Sequence, residues 1–348
     1  MNRNSSGLTR PGQKCGEGPW ALRKTGALLS VLASMVFSNP GNAADPPPIG
    51  KIVLGAGIDA TYGEIFVAVD KGFFAKQGIN AQYKTFEAGG MSISAAAANT
   101  VQVGAGGELP GMKPVSDGAR IVYVATGVYT GKAGGTGVAA GISKPEDLIG
   151  KKVAVLKGST SELYQTLFFR KYGLDGKVEA INVAVPEMIP AIARGDVQAM
   201  FVWEPWLTRL LETVPNSSVP WRYNTDGVYE LHWGYWFNKD FVEQNPELAE
   251  KTLAALVEAT DWINANKEEA AEIISKPTRT PKAEILKQMA DLRYATDLRQ
   301  ENVQHYENNI VPFAIKQGLI KTTDAHAFVE SFFYPQLMKK VAPNRTDF

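Results

Sequence analysis

Residues 152–172 read KVAVLKGSTSELYQTLFFRKY. Lys152 to Leu156 form a short apolar run of strand type, Lys157-Gly158 punctuate it, and Ser161 to Tyr172 read as a helix. A strand that turns through Gly and Ser straight into a helix is half of a βαβ unit, so this stretch predicts an α/β protein. The turn has two compatible readings. As a cap, the Ser159 side chain bonds the amide three residues on while Glu162 reaches back. As a site, free backbone N–H groups and the helix dipole at Ser159-Thr160 hold an anion.

The same punctuation recurs on both sides. Strands are predicted at 51–54, 81–86, 101–104, 121–126, 178–182 and 199–203, with helices at 64–77, 92–98, 111–118 and 188–194 between them. Three further strand-to-helix turns carry small residues: Thr61-Tyr62-Gly63-Glu64, Glu87-Ala88-Gly89-Gly90-Met91 and Gly107-Glu108-Leu109-Pro110. Open α/β sheets gather ligands beyond the C-terminal strand ends, so the four turns outline an anion cleft built largely from backbone dipoles. The Gly-rich stretch 127–141 interrupts the pattern, and from Asn245-Pro246 onward the chain is strongly helical. The architecture expected is two α/β lobes with doubly wound mixed sheets. The second lobe is inserted into the first, and C-terminal helices cover the first.

The segment Gly195 to Trp206 runs a buried strand into Trp203, Glu204 and Pro205. Trp203 is either core or a pocket wall. Glu204 either caps the next helix or accepts hydrogen bonds from a ligand ammonium or hydroxyl. The aromatic run Tyr229 to Phe237 either fills the core or lines the same cleft. His232 reads as a structural or rim residue rather than a metal ligand. Gly55-Ala56-Gly57-Ile58-Asp59-Ala60 fits G-x-G-x-x-A loosely, but a Gly-rich turn at close backbone approach explains it without a dinucleotide.

Composition narrows the chemistry. The 348 residues hold 36 Lys+Arg against 36 Asp+Glu, with three His and one Cys. Balanced charge removes the electrostatic case for a nucleic-acid partner. One Cys and three scattered His leave no Cys- or His-rich metal set. The N-terminus has a polar stretch with five basic residues, an apolar run GALLSVLASMVF at 26–37, and small residues at Gly41-Asn42-Ala43. That is the layout of a cleaved secretory signal over residues 1–43. Cleavage there leaves 31 basic and 35 acidic residues and no Cys, so the mature chain is mildly acidic and needs no disulfide.

Several ordered segments resemble the periplasmic solute-binding proteins of ABC importers in the nitrate, taurine and aliphatic sulfonate group. They are Lys71-Gly72-Phe73-Phe74 with Gly78-Ile79, Ala88-Gly89-Gly90, VQVGAGGELP at 101–110, DLIGKKVAV at 147–155 with Gly158-Ser159, and Gly195 to Pro205. Gln102 and Gln198 stand where the family often has Asp, so the structural hydrogen bonds there are expected to differ. The resemblance implies a two-lobe periplasmic-binding-protein fold of type II. Residues 44–138 would open lobe I, 139–228 would form lobe II, and 229–348 would return to lobe I. It also implies a monomer with no cofactor, no metal and no catalysed reaction, located in the periplasm and working with an ABC transporter permease. The cleft positions it suggests are Tyr62, Gly63, Gly90, Gly107, Glu108, Ser159, Thr160, Trp203 and Glu204. A sulfonate or taurine-like ligand, an organic anion or zwitterion, is expected because Glu108 and Glu204 suit an amine or hydroxyl better than bare nitrate. Nitrate, a pyrimidine or an aromatic carboxylate are the alternatives. An enzyme on the same fold, similar to a pyrimidine-precursor synthase, would need a Cys-rich catalytic segment that the mature chain lacks.

Overall fold

The computed structural model describes residues 50–348; the expected signal peptide, residues 1–43, lies outside the described residues. Eleven strands form two sheets among the described residues. They are β1 (Gly50–Ala56), β2 (Ile79–Thr85), β3 (Val103–Gly106), β4 (Ile121–Thr130), β5 (Gly134–Val138), β6 (Lys152–Val155), β7 (Glu179–Asn182), β8 (Ala199–Trp203), β9 (Ser218–Arg222), β10 (Leu231–Asn238) and β11 (Arg293–Asp297). The first sheet has the order β11-β4-β10-β3-β1-β2 and the second β7-β6-β8-β5-β9. In each, three parallel strands carry the βαβ pattern, and the strands beyond them run antiparallel.

The antiparallel strands are where the sequence misleads. The Gly-rich stretch holds the end of β4 and all of β5, and β5 belongs to the second sheet rather than to the opening segment of the first lobe. Its glycines serve close packing. A Cβ at Gly135 would strike the Trp221 carbonyl of neighbouring β9, so only Gly fits there. The aromatic run at 229–237 is mostly β10, a central strand buried along its whole length, which shows no alternation to read. The helix expected over 64–77 is two, Gly63–Asp70 and Phe73–Lys76, because Gly72 takes a left-handed φ of 72° between them.

The two Gln that stand in place of Asp each tie a pair of neighbouring strands. In the first sheet Gln102 Oε1 accepts the Val53 amide at 2.8 Å, and the Gln102 amide donates to the Val53 carbonyl at 2.9 Å. In the second, Gln198 Oε1 accepts the Lys152 amide at 3.3 Å, and its own amide donates to the Lys152 carbonyl at 2.9 Å. An amide carbonyl accepts from a backbone N–H as a carboxylate does, without burying a charge.

The chain passes between the sheets twice, once after β4 and once after β9. The two crossings lie side by side: the Asn224 amide donates to the Gly131 carbonyl at 2.8 Å and the Tyr223 amide to the Gly134 carbonyl at 3.0 Å. Helices Pro246–Ala265 and Lys267–Thr278 pack on the helix Gly63–Asp70, on the first sheet's side.

One buried acid sets a pH dependence. Glu64 opens the helix Gly63–Asp70 wholly out of solvent, and its carboxyl meets Tyr235 Oη at 2.9 Å, Thr260 Oγ1 at 3.1 Å and Thr296 Oγ1 at 3.0 Å. Burial pushes its pKa up to about 8, against the pull of those hydrogen bonds. In the unfolded chain the group titrates near 4.5. The stabilisation from its bound proton is therefore complete below about 4.5 and fades as the pH rises to about 8, by at most about 1.4 kcal/mol per pH unit. Glu64→Gln, which cannot ionise, should flatten that slope in urea unfolding measured at pH 5, 6.5 and 8. Identical slopes for both proteins would show that Glu64 is not protonated.

Candidate functional site

The C-terminal ends of the parallel strands from both sheets converge on one cavity of about 360 Å³. From the first sheet come Asp59, Thr61 and Tyr62 beyond β1, Ala88 to Met91 beyond β2, and Gly107 beyond β3. From the second come Leu156 to Thr160 beyond β6, and Trp203 and Glu204 at the end of β8. Lys132 and Ala133 of the first crossing, with Arg222 and Tyr223 of the second, close the back of the cavity.

Seven of the nine residues named from sequence line this cavity: Tyr62, Gly90, Gly107, Ser159, Thr160, Trp203 and Glu204. Gly63 and Glu108 do not. Gly63 faces the core, where a Cβ would sit 2.9 Å from both Ile274 Cδ1 and Tyr294 Oη. Glu108 is 0% exposed and serves as a buried tie. Its carboxyl accepts from Tyr229 Oη at 2.7 Å and the His232 amide at 2.6 Å, and lies 3.2 Å from His305 Nε2. His232 stacks on His305 with ring centres 3.9 Å apart, and burial, with His305 and Arg293 nearby, pushes its pKa down to about 2. It is a neutral structural residue. Among the described residues no group of three or more His, Cys, Asp or Glu is arranged to hold a metal ion.

The Ser159 turn does not form the expected capping box. Ser159 Oγ donates to the Leu156 carbonyl at 2.6 Å, and Glu162 Oε2 accepts the Gly158 amide at 2.7 Å. The side chain thus caps no amide of the helix Thr160–Lys171. Thr160 Oγ1, buried in the same wall, has no hydrogen-bond partner among the described residues. A helix N-terminus with an unsatisfied hydroxyl in a cavity wall suits an oxyanion.

Glu204 meets the capping reading, and its second carboxylate oxygen is taken by an arginine. Oε2 accepts the Thr208 amide at 3.0 Å in the first turn of the helix Trp206–Thr213, while Oε1 takes Arg222 Nη1 at 2.6 Å at the cavity wall. Across from it, burial pushes the pKa of Asp59 up to about 6, partly offset by hydrogen bonds from Thr61 and aided by the charge of Glu204. Lys132 pairs with Asp291 at 2.8 Å. Of the run 229–237, Leu231 and Trp233 reach the cavity, the latter edge-on to Tyr62 with ring centres 4.8 Å apart. The sequence missed Lys132, Arg222 and the wall supplied by Glu284, Lys287, Gln288, Asp291 and Leu292. Glu284, Lys287 and Gln288 share one face of the helix Lys282–Ala290 at i, i+3 and i+4, the signal that could have marked them, and Asp291 and Leu292 follow just past its end.

Two mixed sheets joined by two crossings, with strand-end turns facing one another over a cavity, define the two-lobe fold of periplasmic binding proteins. The NMT1/THI5 like family matches residues 60–270, more than half of the chain, and this protein belongs to it. The taurine-binding periplasmic protein of Escherichia coli (strain K12) is 29% identical over 204 residues, 57% of this chain and 62% of that protein, so the match spans a little under two thirds of the relative's length. Among solved structures, the periplasmic aliphatic sulphonate binding protein SsuA from Escherichia coli superposes with a TM-score of 0.68 at 19% identity, over 82% of this chain and 92% of that one. The periplasmic nitrate-binding protein NrtA from Synechocystis PCC 6803 gives 0.67 at 18%, over 86% and 90%. At these identities the structural likeness is one of fold.

Proposed function

We propose that the protein is an exported receptor that closes on a small organic anion, a sulfonate or taurine-like compound, and delivers it to an ABC importer permease without chemical change. The observation that carries this reading is the cavity wall at the N-terminus of the helix Thr160–Lys171, which buries the orphaned Thr160 hydroxyl, in a lining whose acids and bases balance. The oxyanion would rest on the amides of this turn and on Thr160, and Tyr62, Trp203 and Trp233 would cover the organic part. A cavity of about 360 Å³ has room for more than a four-atom oxyanion such as nitrate. Asp59 in its lining, which no Lys or Arg pairs among the described residues, suits an ammonium or hydroxyl carried by the ligand.

A thermal-shift panel of taurine, alkanesulfonates, nitrate, pyrimidines and aromatic carboxylates tests this, since a ligand at 100 times its Kd stabilises by about 2.7 kcal/mol. A sulfonate should raise the Tm and nitrate should not; a response to nitrate alone would overturn the reading. Thr160→Val, which keeps the shape and loses the hydroxyl, should weaken the responding ligand about ten- to a hundred-fold by calorimetry, as expected for a hydrogen bond to a charged group. Unchanged affinity would remove Thr160 from the site.

A further inference from the structure

The helix Lys282–Ala290 lays one face along the cavity and buries the adjoining one, where Ile285 and Met289 join the core and Gln288 sits at the boundary. Nearly every polar group on the cavity face is already engaged. Glu284 accepts from Thr208 Oγ1 of the other lobe at 3.2 Å and lies 3.4 Å from Lys287 Nζ, while Asp291, just past the helix, holds Lys132. Gln288 is the exception. It lines the cavity at 9% exposure, and neither Oε1 nor Nε2 has a hydrogen-bond partner among the described residues.

A buried primary amide left wholly unpaired is costly, because two donors and an acceptor have lost water with nothing in return. A helix face that needed only to fill space would do better with Leu or Met. Thr160 is the other cavity-lining side chain with an orphaned polar atom, and it comes from the opposite lobe. A charge-neutral amide is not suited to be the main holder of an anion, but its adjacent donor and acceptor match a group that both gives and takes hydrogen bonds.

We infer that Gln288 is a specificity-determining residue of this cavity, its amide reading a hydroxyl or amine substituent on the organic anion whose oxyanion end lies at Thr160. The inference rests on the receptor reading above. It adds that discrimination between a substituted anion and its plain alkyl analogue resides on the helix Lys282–Ala290. A site that hydrogen-bonds a substituent rejects the analogue lacking it because its own polar groups stay unpaired.

The test compares wild type, Gln288→Met and Gln288→Leu by calorimetry against matched probes. These are taurine and 2-hydroxyethanesulfonate against propanesulfonate, and β-alanine against butanoate. Both variants should lose about ten-fold or more for taurine or 2-hydroxyethanesulfonate while propanesulfonate changes less than about three-fold. Their Tm without added probe should rise by about 2–6 °C, since an unpaired buried amide has been removed. Equal losses for substituted and plain probes, no losses, or a fallen Tm in both variants would overturn the inference. If the carboxylate pair binds wild type and the sulfonates do not, the sulfonate reading fails, and Gln288 is judged on β-alanine against butanoate. If no probe binds wild type, the receptor reading fails and the inference is overturned with it, whatever the Tm does.

Discussion

Gly107→Ala should cost at least about 100-fold in ligand affinity while leaving the Tm within about 2 °C of wild type. Gly107 follows β3 in the first lobe, and the atom a methyl group there would strike is Thr160 Oγ1, at the head of a helix in the second. The added carbon would also lie 3.2 Å from Leu231 Cδ1 in its own lobe, a crowding that a leucine end group can relieve by a small shift. The collision with Thr160 is relieved by turning the threonine hydroxyl out of its place or by moving the two lobes farther apart. Overpacking of this kind costs about 1–3 kcal/mol, and here the cost falls on the closed arrangement alone. A receptor that binds through a closed state loses apparent affinity in proportion to the population of that state. Thr160 is also the proposed oxyanion contact, so displacing it removes a further hydrogen bond to charge. Calorimetry with the ligand found by thermal shift checks the affinity. Binding within three-fold of wild type would show that the lobes do not need this approach in order to hold ligand.

The largest stability effect is expected from Glu108. Glu108→Leu removes a carboxyl that receives the Tyr229 hydroxyl and the His232 amide and lies against His305, all in or at the edge of the interior. Leucine offers none of these donors a partner, and each donor left buried costs about 1–3 kcal/mol. A total near 3 kcal/mol lowers the Tm of a chain this size by about 6–10 °C. Glu108→Gln keeps one acceptor and should lose less. Affinity measured well below the lowered Tm should change by less than about ten-fold, since the carboxyl lies outside the cavity. A normal Tm combined with abolished binding would restore Glu108 as a ligand contact.

The difference between Gly107 and Glu108, adjacent in sequence, shows where sequence reading stops. The turn itself was legible, because a strand leading through small residues into a helix has few ways to fold and its free amides must point somewhere. Which of its side chains turned outward was not, because that depends on Tyr229 and His305, more than a hundred residues away. The parallel strands and the cavity residues at their ends followed from local pattern. β5 and β10 did not: one is rich in glycine for close approach to β9, and the other is apolar on both faces. Arg222, Lys132 and Gln288 were equally hidden, since a lone polar residue looks alike whether it faces water or a cavity.

The position of β10 between β3 and β4 also favours one order of assembly. Strands β5 to β9 lie in one continuous stretch, 134–222, and need nothing downstream to complete their sheet. The sheet begun by β1 cannot be joined to β4 until residues 231–238 arrive, after a loop of about a hundred residues has been closed at an entropic cost. The lobe that starts second is thus ready to fold first, as a unit. The lobe that starts first then forms around both ends of a chain whose middle is already structured.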